Sequence, residues 1–129
     1  MSEVEQHLHG IRHVPAGIRD RILEIGDTFD DTSVDDMEGL YSPLLAGRER
    51  HEISAKKDIP YGSHGMQLLD VHLADGGGDD LTSVLFFHGG GFVGGHKNVA
   101  GDILYGNVTT YFAKHGMIGV NATYLSLIH

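Results

Sequence analysis

The segment Val84-Leu85-Phe86-Phe87-His88-Gly89-Gly90-Gly91-Phe92-Val93-Gly94-Gly95 constrains this chain more than any other. Ser83 to Phe87 has the length and composition of a short strand buried on both faces of a parallel sheet. The glycines at its carboxyl end mark backbone that is turned sharply or held close to something. In open α/β sheets the functional crevice lies beyond the carboxyl ends of the strands. Three successive glycines there expose N–H groups with no side chain in the way, and such groups can converge on an oxygen that becomes negative during a reaction. Each well-aimed donor is worth about 2.7–4 kcal/mol of transition-state stabilisation. The segment therefore has the makings of an oxyanion hole.

The flanking pattern predicts an α/β chain. Ile18, Ile22, Leu23 and Ile25 fall at helical spacing behind Pro15, and Gly26 is placed to end that helix. Asp27 to Glu38 holds six acidic residues and no basic one, which reads as a solvated loop or exposed helix start rather than a cation site. Glu52 to Ile59 is expected as a strand closed by Pro60-Tyr61-Gly62. Leu69, Val71 and Leu73 alternate with Asp70 and His72, the period of a half-buried strand. A helix is expected from about Asp102 to His115, with stripe residues Leu104, Val108, Tyr111 and Phe112. Asp102 is placed to cap it, Lys114 and His115 suit its C-terminal end, and Gly116 follows. Met117 to Tyr124 reads as the next buried strand. Strand, helix, strand in this span makes a right-handed crossover and an at least partly parallel sheet.

Composition removes several functions. Nine basic against eighteen acidic residues leave a net charge of −9, which a nucleic-acid backbone would repel, so no nucleic-acid partner is expected. Cysteine is absent, excluding disulfides, thiolate zinc sites and Cys nucleophiles. No apolar run approaches the ~20 residues that span a bilayer, and no leader pattern opens the chain. A cytoplasmic protein without membrane association is expected. His9 and His13 stand at the i, i+4 spacing of helical metal ligands, but Gly10 lies between them and no third ligand follows at a recognised offset. His7 and His51 are isolated, and His64, His72, His96 and His115 read as surface or hydrogen-bonded structural residues. No metal and no cofactor are expected.

From Asp58 to Tyr124 the sequence resembles the α/β-hydrolase carboxylesterases with a His-Gly-Gly-Gly oxyanion loop, the hormone-sensitive-lipase-like and formamidase-like group. The resemblance rests on Tyr61-Gly62 ahead of Leu69-Asp70-Val71, on the loop from Phe87 to Phe92, and on Val120-Asn121-Ala122-Thr123-Tyr124. It implies that the N–H groups of Gly90 and Gly91 form part of the oxyanion hole. It also implies that His88 braces the loop rather than transferring protons, and that Phe92 helps line the acyl pocket. The substrate it implies is a small carboxylic ester, or a formamide by the same acyl-transfer chemistry. Residues 1–50 would then be a helical, acidic, cap-like segment, and residues 51–129 the N-terminal part of the hydrolase core.

The family's nucleophile sits on a Gly-x-Ser-x-Gly elbow, followed by an acid and then a histidine. None of Ser2, Ser33, Ser42, Ser54, Ser63, Ser83 and Ser126 has that setting; Ser63 in Gly62-Ser63-His64-Gly65 comes nearest but precedes the loop. No acidic residue follows Asp102, and His129 has neither elbow nor acid ahead of it. Where related esterases continue with Arg-Leu-Ala-Pro, this chain reads Leu125-Ser126-Leu127-Ile128-His129. The expectation is an esterase N-terminal portion, truncated or frame-shifted, inactive alone and able to self-associate through an exposed strand edge. Two alternatives stand beside it. Gly89-x-Gly91-x-x-Gly94 also fits a dinucleotide-binding loop, although the helical stripe starts about a dozen residues late and no acid follows for the ribose. The other is a fragment with no function of its own.

Overall fold

The structure is a computed structural model that describes residues 14–46, 48 and 52–126. His7, His9, His13, His51 and His129 lie outside the described residues. The chain divides into two compact units with the boundary between Pro43 and Leu44.

The first unit is helical. Helix α1 (Ala16–Ile25) starts behind Pro15 and ends at Gly26, whose φ of +62° reverses the chain. Helix α2 (Asp31–Ala46) opens on the acidic run. Asp30 and Ser33 form a reciprocal capping box there: the Ser33 amide donates to Asp30 Oδ1 (2.8 Å) and the Asp30 amide to Ser33 Oγ (2.9 Å). The Arg21 guanidinium ties α1 to α2, donating to Glu24 (2.8 Å) and Asp36 (2.5 Å).

The second unit is a four-stranded mixed sheet with one crossover helix. Its strands are β1 (Ile53–Pro60), β2 (Leu68–Ala74), β3 (Ser83–Phe87) and β4 (Ile118–Ala122), in the order β1-β2-β4-β3. β1 and β2 are antiparallel, as are β2 and β4, while β3 and β4 are parallel with Leu85 opposite Val120. The expected crossover is present: helix α3 (Gly106–Lys114) joins the parallel pair and packs on β4 and β2. α3 ends in a Schellman motif. Gly116 takes φ +75°, its amide donates to the Ala113 carbonyl (3.1 Å), and the Met117 amide donates to the Phe112 carbonyl (3.1 Å). Asp102 does not cap α3 as expected. The helix begins four residues later, behind Tyr105 with no side-chain cap, and Asp102 instead pairs with Lys57.

One burial expectation is overturned, on β3, and on β2 the structure settles which side is covered. On β2 it is Asp70 and His72 that are buried, whereas Leu69, Val71 and Leu73 are half-buried. The cause is that α3 covers the face carrying Asp70, His72, Gly119 and Asn121. On β3, Leu85 and Phe87 are each 54% exposed, so the strand is covered on one face rather than two. Together with Val71 and Val120, which share its register, Leu85 belongs to an apolar sheet face that no described element fully covers. β3 is also the sheet's edge among the described residues.

Gly119 sets how closely helix and sheet approach. A Cβ there would stand 2.2 Å from the Thr109 carbonyl oxygen and 2.8 Å from its Cα, both backbone atoms that cannot step aside. Gly119→Ala is therefore expected to push α3 off the sheet and destabilise the unit by about 1–3 kcal/mol or more, read as a lower urea midpoint; an unchanged midpoint would show that the approach is not needed.

Candidate active site

β3 delivers the glycine loop to the carboxyl end of the sheet, beside the end of its parallel neighbour β4. The loop doubles back on itself. The amides of Val93 and Gly94 both donate to the Gly90 carbonyl (3.1 and 3.2 Å). Backbone geometry makes glycine obligatory at two points. Gly90 has φ +129° and a Cβ on it would lie 2.2 Å from the Gly94 carbonyl oxygen; Gly95 has φ +95° and its Cβ would lie 2.5 Å from the Gly89 carbonyl oxygen. Gly91 and Phe92 also have positive φ, +60° and +62°. For phenylalanine that conformation is costly and persists only where the surroundings impose it. The amides of Gly90 and Gly91 have no partner among the described residues, and both residues are exposed.

His88 lies under this loop, 3% exposed. Its Nδ1 is 2.6 Å from the Gly89 carbonyl oxygen. A carbonyl only accepts, so Nδ1 carries a proton and Nε2 is the other ring nitrogen to account for. That Nε2 is buried with no partner among the described residues. The imidazole stacks on Tyr124 (centroids 4.5 Å apart, planes 14°), and the Tyr124 hydroxyl donates to the His88 carbonyl (2.7 Å). Phe92 is exposed, with its ring 5.8 Å from that of Tyr124. The structure thus gathers His88, Gly90, Gly91 and Phe92 at one lip of the sheet.

Sequence reasoning missed a second cluster just beyond the loop. Lys97 is completely buried, and its ammonium donates to Asp70 Oδ1 and Asp58 Oδ1, each at 2.7 Å. Asp70, equally buried, also accepts from the Asp58 amide (2.8 Å) and faces Lys57 Nζ at 3.6 Å. The Lys97 amide donates to Thr123 Oγ1 (3.0 Å), and Asn121 Nδ2 donates to the Lys97 carbonyl (2.6 Å). Burial opposes the charge on Asp70, but the hydrogen bonds from Lys97 and from the Asp58 amide outweigh it and hold the carboxyl below the usual carboxylate range. Burial likewise opposes the charge on Lys97, and the bonds to Asp58 and Asp70 overcome it, raising its pKa. The sequence carried one clue: a lysine next to the loop and an aspartate inside a strand are each costly to bury alone and tolerable together.

The dinucleotide-binding alternative finds no matching arrangement among the described residues. No helix opens on Gly89, Gly91 and Gly94, because α3 begins only at Gly106. Among the described residues no group of three His, Cys, Asp or Glu side chains could hold a metal ion, and no helix is long and apolar enough to cross a membrane.

A mixed sheet with a β3-α3-β4 crossover and a glycine loop at the carboxyl end of β3 is a partial α/β-hydrolase-like fold. Solved structures agree. The chain is similar to esterase B from Lactobacillus rhamnosis, with TM-score 0.56 at 14% identity over 88% of this chain and 34% of that one. A C6-C4 SN3 inhibited form of that esterase gives TM-score 0.54 at 17% identity over 74% and 31%. A form inhibited with a C4-C4 SN3 tributyrin phosphonate gives 0.51 at 16% identity, again over 74% and 31%. At such identities the likeness is one of fold, and the chain spans about a third of the length of these structures. No protein-family profile and no curated protein matches the sequence.

The buried pair fixes the pH response. Asp70 has a depressed folded pKa, so its contribution is complete above its unfolded value of about 4 and is lost as pH falls through the folded value. Lys97 has a raised folded pKa, so its contribution is complete below about pH 10 and is lost as pH rises further. Stability measured by denaturant titration should be level between these limits with respect to this pair and fall outside them. Asp70→Asn, which leaves a buried ammonium with one carboxylate, is expected to cost about 3–5 kcal/mol and to weaken the acid limb.

Proposed function

We propose that residues 1–129 carry the electrophilic half of a serine carboxylesterase site of the His-Gly-Gly-Gly kind, as in the hormone-sensitive-lipase-like and formamidase-like hydrolases. The observation that supports it is the pair of amides at Gly90 and Gly91, unpartnered among the described residues, on a loop bent back over His88 at the carboxyl end of β3. A small carboxylic ester would set its carbonyl oxygen against these two N–H groups, with Phe92 along the acyl side. Serine attack on the carbonyl carbon places a full negative charge on that oxygen; the alcohol then leaves, and water releases the acid from the acyl-enzyme. Donors already aimed at the oxygen stabilise the charged state more than the neutral ester, which is how they lower the barrier. His88 serves as a brace, since its protonated nitrogen is engaged and its other nitrogen is buried. The helical unit ahead of the sheet is, in this reading, the family's cap-like segment.

Within residues 1–129 no serine stands in a Gly-x-Ser-x-Gly elbow with an acid and then a histidine after it. Two measurements test this. The DNA following codon 129, read in all three frames, is expected to encode a Gly-x-Ser-x-Gly elbow; none in any frame would remove the esterase reading. The purified chain is expected neither to react with a fluorophosphonate probe nor to hydrolyse short-chain esters, and a labelled serine would disprove the missing nucleophile.

Self-association is the second expectation. Among the described residues β3 offers an uncharged, unpaired edge and two half-exposed apolar side chains, Leu85 and Phe87, the features that template strand pairing between chains. Light scattering after gel filtration should show oligomers for the parent chain and fewer for Leu85→Lys. A parent chain that is monomeric and melts cooperatively would contradict it.

A further inference from the structure

We propose that Lys97 is a positioning residue for the glycine amides: with Asp70 and Asp58 it forms a buried ionic latch that fixes the loop's return limb to the sheet. Its purpose rests on the oxyanion reading of Gly90 and Gly91; its geometry does not.

The loop consists of two limbs in direct contact. The outgoing limb, His88 to Gly91, carries the amides. The return limb, Gly94 and Gly95, lies against it so closely that a methyl group on Gly95 would stand 2.5 Å from the Gly89 carbonyl oxygen and 2.7 Å from His88 Nδ1. A shift of the return limb must therefore move the outgoing one. Two residues past Gly95 the chain is fully buried at Lys97. There four hydrogen bonds hold it, and they reach different strands: Asp58 on β1, Asp70 on β2, and Asn121 at the end of β4 with Thr123 just after it. The anchor thus spans the sheet from β1 to β4, while Tyr124 holds the start of the loop through the His88 carbonyl.

The choice of lysine is informative. An apolar side chain would fill the same space without the cost of desolvating an ammonium. An ammonium removed from water must keep its acceptors, so the latch fixes position as well as filling volume. The charged groups facing it are Asp58 and Asp70, and Asp70 in turn faces Lys57, which pairs with Asp102.

Hydrogen exchange of the Val93 and Gly94 amides reads the latch, because both bond to the Gly90 carbonyl only while the loop is folded back. The full chain would be compared with Asp58→Asn, with the neutral double variant Asp70→Asn/Lys97→Met, and with Lys57→Met as a control. The double variant is expected to exchange these two amides about tenfold faster, while amides of β2 and β4 stay within about twofold. Asp58→Asn should give a smaller rise of a few-fold, and Lys57→Met none. A folded double variant with parental rates at Val93 and Gly94 overturns the proposal, as does an equal rise at every amide, which would make the cluster a stabiliser only. Should the double variant fail to fold, Asp58→Asn decides. Its side chain is 65% exposed and asparagine accepts the positive φ of +54° found there, so the fold survives; unchanged rates in that variant overturn the latch. None of these readouts involves ester chemistry. An elbow missing from the DNA would sink the esterase reading and leave the latch standing, and the converse also holds.

Discussion

The contact between Lys97 and Asp70 organises the sheet unit. Two charges fully removed from water attract strongly only if their remaining donors and acceptors are also satisfied. Here that demand recruits the Asp58 amide for the carboxylate, and Thr123 and Asn121 for the lysine backbone. The result is a polar layer between α3 and the sheet, with Asp70, His72, Thr109, Thr110 and Asn121 all buried. Its members come from β2, α3, β4 and the segment after the glycine loop, so hydrogen bonds tie the loop's return limb to the sheet.

Helix α3 adds the second constraint. It lies so close to the sheet that Gly119 has no room for a side chain, and its Schellman ending turns the chain directly into β4. That return places β4 parallel to β3, and hence places Tyr124 beside His88 at the same lip. The stacked ring and the hydroxyl bond then hold the start of the loop. Where the amides are presented, Gly90, Gly91 and Phe92 have positive φ in succession, a conformation open to the two glycines and disfavoured for Phe92. The contacts on both flanks are what hold the chain in a conformation that phenylalanine disfavours.

Local rules made much of this legible. Pro15 and Gly26 bound α1, Gly116 ends the last helix, and the four strands fall where alternation and apolar runs put them. The crossover and the loop at the end of β3 follow from the same logic. What alternation does not reveal is which face of a strand is covered. On β2 the polar alternates Asp70 and His72 are the covered ones, because the covering helix buries Gly106, Thr109, Thr110 and Ala113, which are small or polar. Asp102 failed as a cap for a related reason. A tertiary partner, Lys57, competes for its carboxylate, and no local pattern announces a partner 45 residues away. Lys97 was passed over because nothing in its neighbours says that it is buried.

The covered side of β2 bears on how the proposed site would be completed. With the polar side of the sheet under α3, the apolar side carries Leu69, Val71, Leu73, Val120, Leu85 and Phe87 in half-buried or exposed positions. Burying such a surface is worth roughly 25 cal/mol per Å², so a cover for it and a partner for the β3 edge are both favoured. A strand that paired in parallel with β3 along that edge would end at the same lip as Phe87, next to Gly90 and Gly91. Whatever residue stood at its carboxyl end would face the two amides. In the proposed reading that residue is the serine, so one added strand would satisfy the unpaired edge and supply the nucleophile together. In that reading the stability of the sheet and the completion of the proposed site depend on the same strand contact.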